Sequence, residues 1–121
     1  MNANQLEERL LQYGVRCSLL CRELPIEWYD AKHVAGQLIR AATHPGFHYP
    51  EARSAESDRD FLHKLKVLLK ELRESHAELK YIKYMRYFEP GKVDPLIQEA
   101  NELVSIFIAT TKKVSQKINK A

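Results

Sequence analysis

Along most of the chain, apolar residues recur at alternating spacings of four and three, the period of an amphipathic helix rather than of a strand. Leu6, Leu10, Tyr13, Cys17, Leu20 and Leu24 keep this spacing and predict a first helix from about Asn4 to Leu24, stopped by Pro25. A second helix is expected from Asp30, whose carboxylate can accept hydrogen bonds from free first-turn amides, through Val34, Ala35, Leu38, Ile39 and Ala42. Between Thr43 and Ser54 lie Pro45, Pro50, Gly46, His44 and His48, and this stretch reads as a kinked continuation of that helix rather than a loop. Ser57 and Asp60 then have capping-box spacing, with aspartate replacing the usual glutamate, ahead of a long helix through Phe61, Leu65, Leu68, Leu69, Leu72, Leu79 and Ile82. That helix is expected to end before Pro90 and Gly91. Asp94 as N-cap and Pro95 at the first helical position predict a fourth helix with the seam Val93, Ile97, Ala100, Val104, Phe107, Thr111, Val114 and Ile118, apolar at seven of eight positions.

Four amphipathic helices joined by short connections bury their stripes against one another, and short connections make sequential neighbours antiparallel. The predicted fold is therefore all-α, an antiparallel up-down-up-down four-helix bundle with a kinked or broken second helix and a long third helix. It forms one domain over residues 1–121, a length that allows one core. Four glycines in the chain speak against an all-β alternative. A third helix reaching Phe88 would be about 48 Å long, longer than the unbroken part of the second. Its overhang would expose Tyr81, Tyr84, Met85, Tyr87 and Phe88, which makes these residues the candidate oligomer interface.

The first nine residues carry charge at Glu7, Glu8 and Arg9 and lack the apolar run of a signal peptide, and no stretch approaches the roughly 20 apolar residues that span a bilayer. The expected location is cytoplasmic, with no membrane partner. Cys17 and Cys21, four apart on one helix face, read as buried structural thiols, because a metal reading needs two further ligands at suitable spacing and none is near.

Two constellations invite a chemical reading. His44 and His48 would face the same way on a helix and share a metal ion, but Pro45 between them leaves regular helical geometry in doubt and no HExxH motif accompanies them. The carboxylates Glu51, Glu56, Asp60, Glu71 and Glu74 resemble the ligand supply of a di-metal bundle, yet the chain has no Glu-x-x-His. Glu51, Ser57, Asp60, Glu71 and Glu74 are instead expected to form a structural polar network. Nucleophile–base pairs, phosphate loops and nucleotide fingerprints are absent from the sequence, so it predicts no enzyme, no cofactor and no metal.

The segments Ala41-Ala42-Thr43, Glu51-Ala52-Arg53-Ser54-Ala55-Glu56-Ser57, Asp60-Phe61-Leu62-His63-Lys64-Leu65 and Lys70-Glu71-Leu72-Arg73-Glu74 resemble the bacterial 23S rRNA intervening-sequence protein family, also called four-helix bundle proteins. The resemblance covers most of the chain and is densest over residues 35–75. It implies a four-helix protomer assembled into a ring-like homopentamer, related in fold to the accessory variability protein of diversity-generating retroelements, which binds nucleic acid and a reverse transcriptase through basic surface. The chain departs from the family pattern at His44, Pro45 and His48, where serine and asparagine are common, and at Glu78, where tryptophan is common.

Arg59, Lys64, Lys66, Lys70, Arg73, Lys80, Lys83 and Arg86 fall along the third helix, with Lys112, Lys113, Lys117 and Lys120 near the C-terminus. On a monomer of net charge +3 such residues usually make a solvated face. Five copies would gather about +15 on one particle, and clustered cations gain affinity for phosphates by releasing counterions. Lys64, Lys66, Lys70, Arg73, Lys80, Lys83, Arg86, Lys112, Lys113 and Lys117 are therefore the candidate nucleic-acid contacts, with Tyr81, Tyr84 and Tyr87 able to stack bases. The expected function is a non-catalytic oligomeric scaffold that binds RNA or DNA, the alternative being a docking module for a protein partner.

Overall fold

A computed structural model describes residues 1–120; Ala121, the last residue of the predicted domain, lies outside the described residues. Helix α1 (Ala3–Arg22) opens on a capping box. The Gln5 amide donates to Asn2 Oδ1 and the Asn2 amide donates back to Gln5 Oε1, each at 2.8 Å, so two free amides of the first turn are satisfied. Helix α2 (Tyr29–Arg53) starts at Trp28, which provides no side-chain cap. The expected cap, Asp30, lies inside the first turn, where its carboxylate accepts the Tyr87 hydroxyl instead.

Helix α2 runs unbroken through Pro45 and Pro50, so residues 43–53 continue the helix, as read from the sequence, and form no loop. The reason lies in α1. Pro45 and Gly46 are buried, and a Cβ on Gly46 would come within 3.0 Å of the Leu11 amide nitrogen and 3.1 Å of Leu10 carbonyl carbon. Gly14 of α1 makes the reciprocal approach: a Cβ there would lie 3.2 Å from the Ala42 carbonyl oxygen and 3.3 Å from Thr43 Cα. Two glycines thus let the backbones of α1 and α2 touch, and tertiary packing holds in place a helix that its proline content would weaken.

Helix α3 (Asp58–Met85) starts at Ser57, whose hydroxyl accepts from the Asp60 amide at 3.1 Å. Asp60 does not return the bond to Ser57; it accepts from the Glu56 amide at 3.3 Å and pairs with Lys64 at 2.8 Å. The helix stops at Met85, three residues short of Phe88, because Arg86 enters the left-handed region at φ 59°. Helix α4 (Pro90–Lys120) begins four residues before the Asp94–Pro95 start. Asp94 therefore caps nothing and pairs with Lys83 at 2.9 Å.

The helices have 20, 25, 28 and 31 residues. At 1.5 Å per residue α2, α3 and α4 are about 38, 42 and 46 Å long. The large α3 overhang inferred from a broken second helix does not arise, and α4 is the longest element. Each helix packs antiparallel along its sequence neighbour, whereas α1 and α4 touch only slightly. That weak seam is closed by Arg9, whose guanidinium is held by Glu99 at 2.6 and 2.8 Å and reaches Glu102 at 3.2 Å. The core runs through Leu10, Tyr13, Cys17, Leu38, Leu65, Leu72, Leu79, Ile82, Leu103 and Phe107. In α4 the buried positions are Val93, Leu96, Ala100, Leu103 and Phe107, so Leu96 and Leu103 replace Ile97 and Val104 as the deepest residues of two turns. Among the described residues no helix is long and apolar enough to cross a membrane.

The glycine seam makes opposite predictions for two glycines of one helix. Gly46→Ala forces backbone apart and is expected to lower stability by about 1–3 kcal/mol. Gly36→Ala, with nothing within 4 Å of the added methyl, should raise stability by about 0.5–1 kcal/mol through helix propensity. Urea unfolding of both variants checks the pair, and equal effects would contradict the close approach.

Candidate functional site

With 100° of rotation per residue, Arg59, Lys66, Lys70, Arg73, Lys80 and Tyr84 fall within about 40° of one line along α3. Leu62 and Ala77 are the remaining members of that stripe, and it contains no acidic residue. All five cations are exposed and, among the described residues, none forms an ion pair. From Arg59 to Tyr84 the stripe extends about 38 Å. Lys66, Lys70 and Arg73 line a groove of about 590 Å³ between α3 and α4, together with Leu69, Glu74, Ala77 and Thr111. Lys112 and Lys113 are exposed directly after Thr111.

The remaining candidate contacts are less free. Lys64 pairs with Asp60, Lys83 with Asp94 at 2.9 Å and Lys117 with Asp58 at 3.4 Å. The Asp60 carboxylate holds the Lys64 ammonium above its ordinary pKa, and its own is lowered in turn by that bond. Arg86 is exposed at the α3 terminus. Spacing along α3 was visible in the sequence; the partners that divide its cations into paired and unpaired were not, because Asp58 and Asp94 reach their lysines only through tertiary packing.

The expected polar network separates into two groups and an exposed contact. Ser57 and Asp60 serve the start of α3. Between α2 and α3, buried Glu71 is approached by His44 Nδ1 at 2.7 Å and by Arg40 at 3.8 Å, and Arg40 also holds Glu74 at 3.1 Å. Glu51 pairs with neither group; it lies 3.7 Å from His48 at the exposed rim of the cleft that Glu71 also lines. His44, His48, Glu51, His63, Lys64, Val67, Leu68 and Glu71 surround a cleft of about 390 Å³. Among the described residues no three His, Cys, Asp or Glu side chains already converge on a point that would hold a metal ion.

Inside the bundle, Tyr13 and Ser75 share a 2.7 Å hydrogen bond. Cys17 and Cys21 are free and buried, as expected, and burial pushes their thiols up to about 12 and about 11, which leaves them unreactive near neutral pH. Glu78 is half-buried with Oε1 lacking a partner, and desolvation, with Glu74 adding repulsion, raises its carboxyl to about 7. Arg40 acts in the opposite sense, and His33 and Tyr81 flank Glu78 in a surface groove.

Of the candidate interface residues, Tyr81, Tyr84 and Met85 are exposed, Tyr84 at 71%. Tyr87 and Phe88 are partly buried against the chain's own core, and the Tyr87 ring lies 6.4 Å from Trp28. A second apolar surface had no counterpart in the sequence reading. Val15, Leu19 and Phe47 line a groove between α1 and α2, and Phe47 is 64% exposed. Phe47 follows the Pro-Gly pair, where no helical face could be assigned until α2 proved continuous.

The fold and these surfaces place the chain in the class of antiparallel four-helix bundle proteins. No protein-family model and no curated protein matches it. Among solved structures, it is similar to a protein of unknown function from the S23 ribosomal protein family of Bacteroides thetaiotaomicron VPI-5482. The two share 24% sequence identity at a TM-score of 0.79, covering 93% of this chain and 99% of the other. At that identity the likeness establishes the fold.

Glu78 yields a pH prediction. Its folded pKa of about 7 lies above the ordinary 4.5, so the folded state binds the proton more tightly and stability falls as pH rises from 4.5 through 7. His76, lowered by burial and Lys80, acts oppositely, weakening the fold as pH drops below 6.5. The contribution of Glu78 is therefore read as the difference between wild type and Glu78→Gln. Relative to the variant, wild type should lose on the order of 1–2 kcal/mol between pH 5 and pH 8, allowing for partial solvent access. Parallel pH profiles in urea unfolding would show that Glu78 ionises normally.

Proposed function

We propose that this chain is a non-catalytic, self-assembling protein that binds RNA or DNA along the α3 stripe. The observation that carries this reading is the set of five unpaired cations in line with Tyr84, free of any acidic residue. A solvated lysine face would normally be interspersed with glutamates, as α3 is on its other sides. Here the acids turn towards α2 and α4, where Glu71, Glu74 and Asp58 meet partners of their own. A phosphate chain following the stripe would meet a cation at almost every turn and an aromatic ring at its end, while Glu74 on the wall of the adjoining groove is held by Arg40.

The name of the Bacteroides neighbour's family, a ribosomal protein family, agrees with an RNA ligand, as does the resemblance to 23S rRNA intervening-sequence proteins. Self-assembly is supported by the exposed Val15, Leu19 and Phe47, which lie on the α1–α2 pair and leave the α3 stripe free. A ring of five is the assembly implied by the sequence resemblance, and a cytoplasmic location belongs to the same reading.

Two measurements test it. Native mass spectrometry should show a homo-oligomer, and Phe47→Glu should shift it towards monomer. Fluorescence-polarisation titration with single-stranded RNA should show affinity that falls steeply with salt. The variant Lys66→Glu/Lys70→Glu/Arg73→Glu should weaken binding by at least about 100-fold and flatten the salt slope by about three phosphate contacts. A bare oligomer indifferent to nucleic acid at low salt would refute the binding reading and favour a docking module for a protein partner.

A further inference from the structure

We propose that the α2–α3 cleft is a binding site for a single borderline transition-metal cation such as Zn²⁺, with His44 and His48 as its protein ligands. The site begins with the continuity of α2. Because Pro45 does not break the helix, His44 and His48 stand four residues apart on one continuous face. Their ring centroids are 5.2 Å apart. The planes stand at 81°, edge to face; two imidazoles bound to one ion at bonds of about 2.1 Å and a tetrahedral angle also have centroids about 5.2 Å apart, so rotation of the side chains alone can bring both rings onto one ion.

Second, His44 is oriented. Glu71 is buried, and its Oε2 lies 2.7 Å from His44 Nδ1. When Nδ1 donates to that carboxylate oxygen, the lone pair that can bind a cation lies on Nε2. A carboxylate behind a histidine is the arrangement that fixes ligand orientation and raises its basicity in protein metal sites. His48 has its own carboxylate neighbour, Glu51 Oε2, 3.7 Å from Nδ1.

Third, the nearby cations do not oppose entry strongly. Lys64 is held by Asp60 at 2.8 Å, and Arg40 is held by Glu74 at 3.1 Å and lies 3.8 Å from the Glu71 oxygen that His44 approaches. Glu51 and Glu71 supply negative charge at the cleft. His63 on α3 lines the opposite wall and, like water, can provide a further ligand after a side-chain rotation. Imidazole with carboxylate and water suits Zn²⁺, Cu²⁺ or Ni²⁺ rather than Ca²⁺ or Mg²⁺.

The test uses the metal alone on tag-free protein stripped with a chelator. Calorimetric titration with ZnCl₂ should give one ion per chain with a dissociation constant below about 10 µM, and Cu²⁺ should show nitrogen coupling in its EPR spectrum. His48→Ala, which alters an exposed side chain, should weaken binding at least about 10-fold, and Glu71→Gln by about 10–100-fold. His33→Ala and His76→Ala, remote from the cleft, should leave affinity unchanged. If His44→Ala does not fold, His48→Ala carries the test. No saturable binding at ~100 µM Zn²⁺, or affinity unaffected in folded His48→Ala, overturns the assignment.

Discussion

The close approach of α1 and α2 at Gly14 and Gly46 is the constraint on which the rest of the structure depends. A Cβ on either glycine would lie only 3.0–3.3 Å from backbone atoms of the facing helix, so the two backbones can pack this closely only where neither residue carries one. That contact supports the second helix through a Pro-Gly pair that local propensity alone would render weak. It extends α2 to 25 residues, gives α3 a partner along most of its length, and brings His44 and Arg40 against Glu71 and Glu74. The same contact directs Phe47 outward beside Val15 and Leu19. Both the polar cleft and the apolar groove are therefore consequences of a single backbone approach.

Four helices and their antiparallel order were legible because apolar periodicity survives any uncertainty about termini. The boundaries were less so, for identifiable reasons. Asp30 has a cap's chemistry, but the Tyr87 hydroxyl takes its carboxylate. Asp94 precedes a proline as a cap should, yet Lys83 pairs with it while α4 starts at Pro90. In each case a residue with local capping propensity was claimed by a partner more than ten residues away, which no local rule registers. Arg86 in the left-handed region ended α3 early, at a residue type that gives no sequence signal for that conformation.

Chemistry was legible in kind but not in grouping. Glu51, Ser57, Asp60, Glu71 and Glu74 are all polar positions of one segment, and the sequence treats them as one network. Helical geometry separates them, since Glu71 turns into the α2 seam while Ser57 and Asp60 are occupied at a helix start. Glu78 shows the converse. The resemblance marks it as a departure where tryptophan is common, and the structure explains the consequence: a half-buried carboxyl in the groove beside His33 and Tyr81, raised by desolvation so that it titrates near neutral pH.

The distribution of charge rather than its sum decides how the surface can act. A net charge of +3 is small, and most of the acidic side chains of α3 are used to hold helices together. Arg40, His44 and Lys117 hold Glu71, Glu74 and Asp58 across helices, and Lys64 pairs with Asp60 within α3. Each such pair satisfies an acid with a partner outside the stripe and reduces cancellation of its cations, although Glu74 still lines the groove beside Lys66, Lys70 and Arg73. The interactions that register the bundle thereby produce the basic stripe, which lies on α3 and its groove with α4, while the exposed apolar groove lies on α1 and α2. Because different helix pairs carry these two surfaces, occupation of one leaves the other accessible.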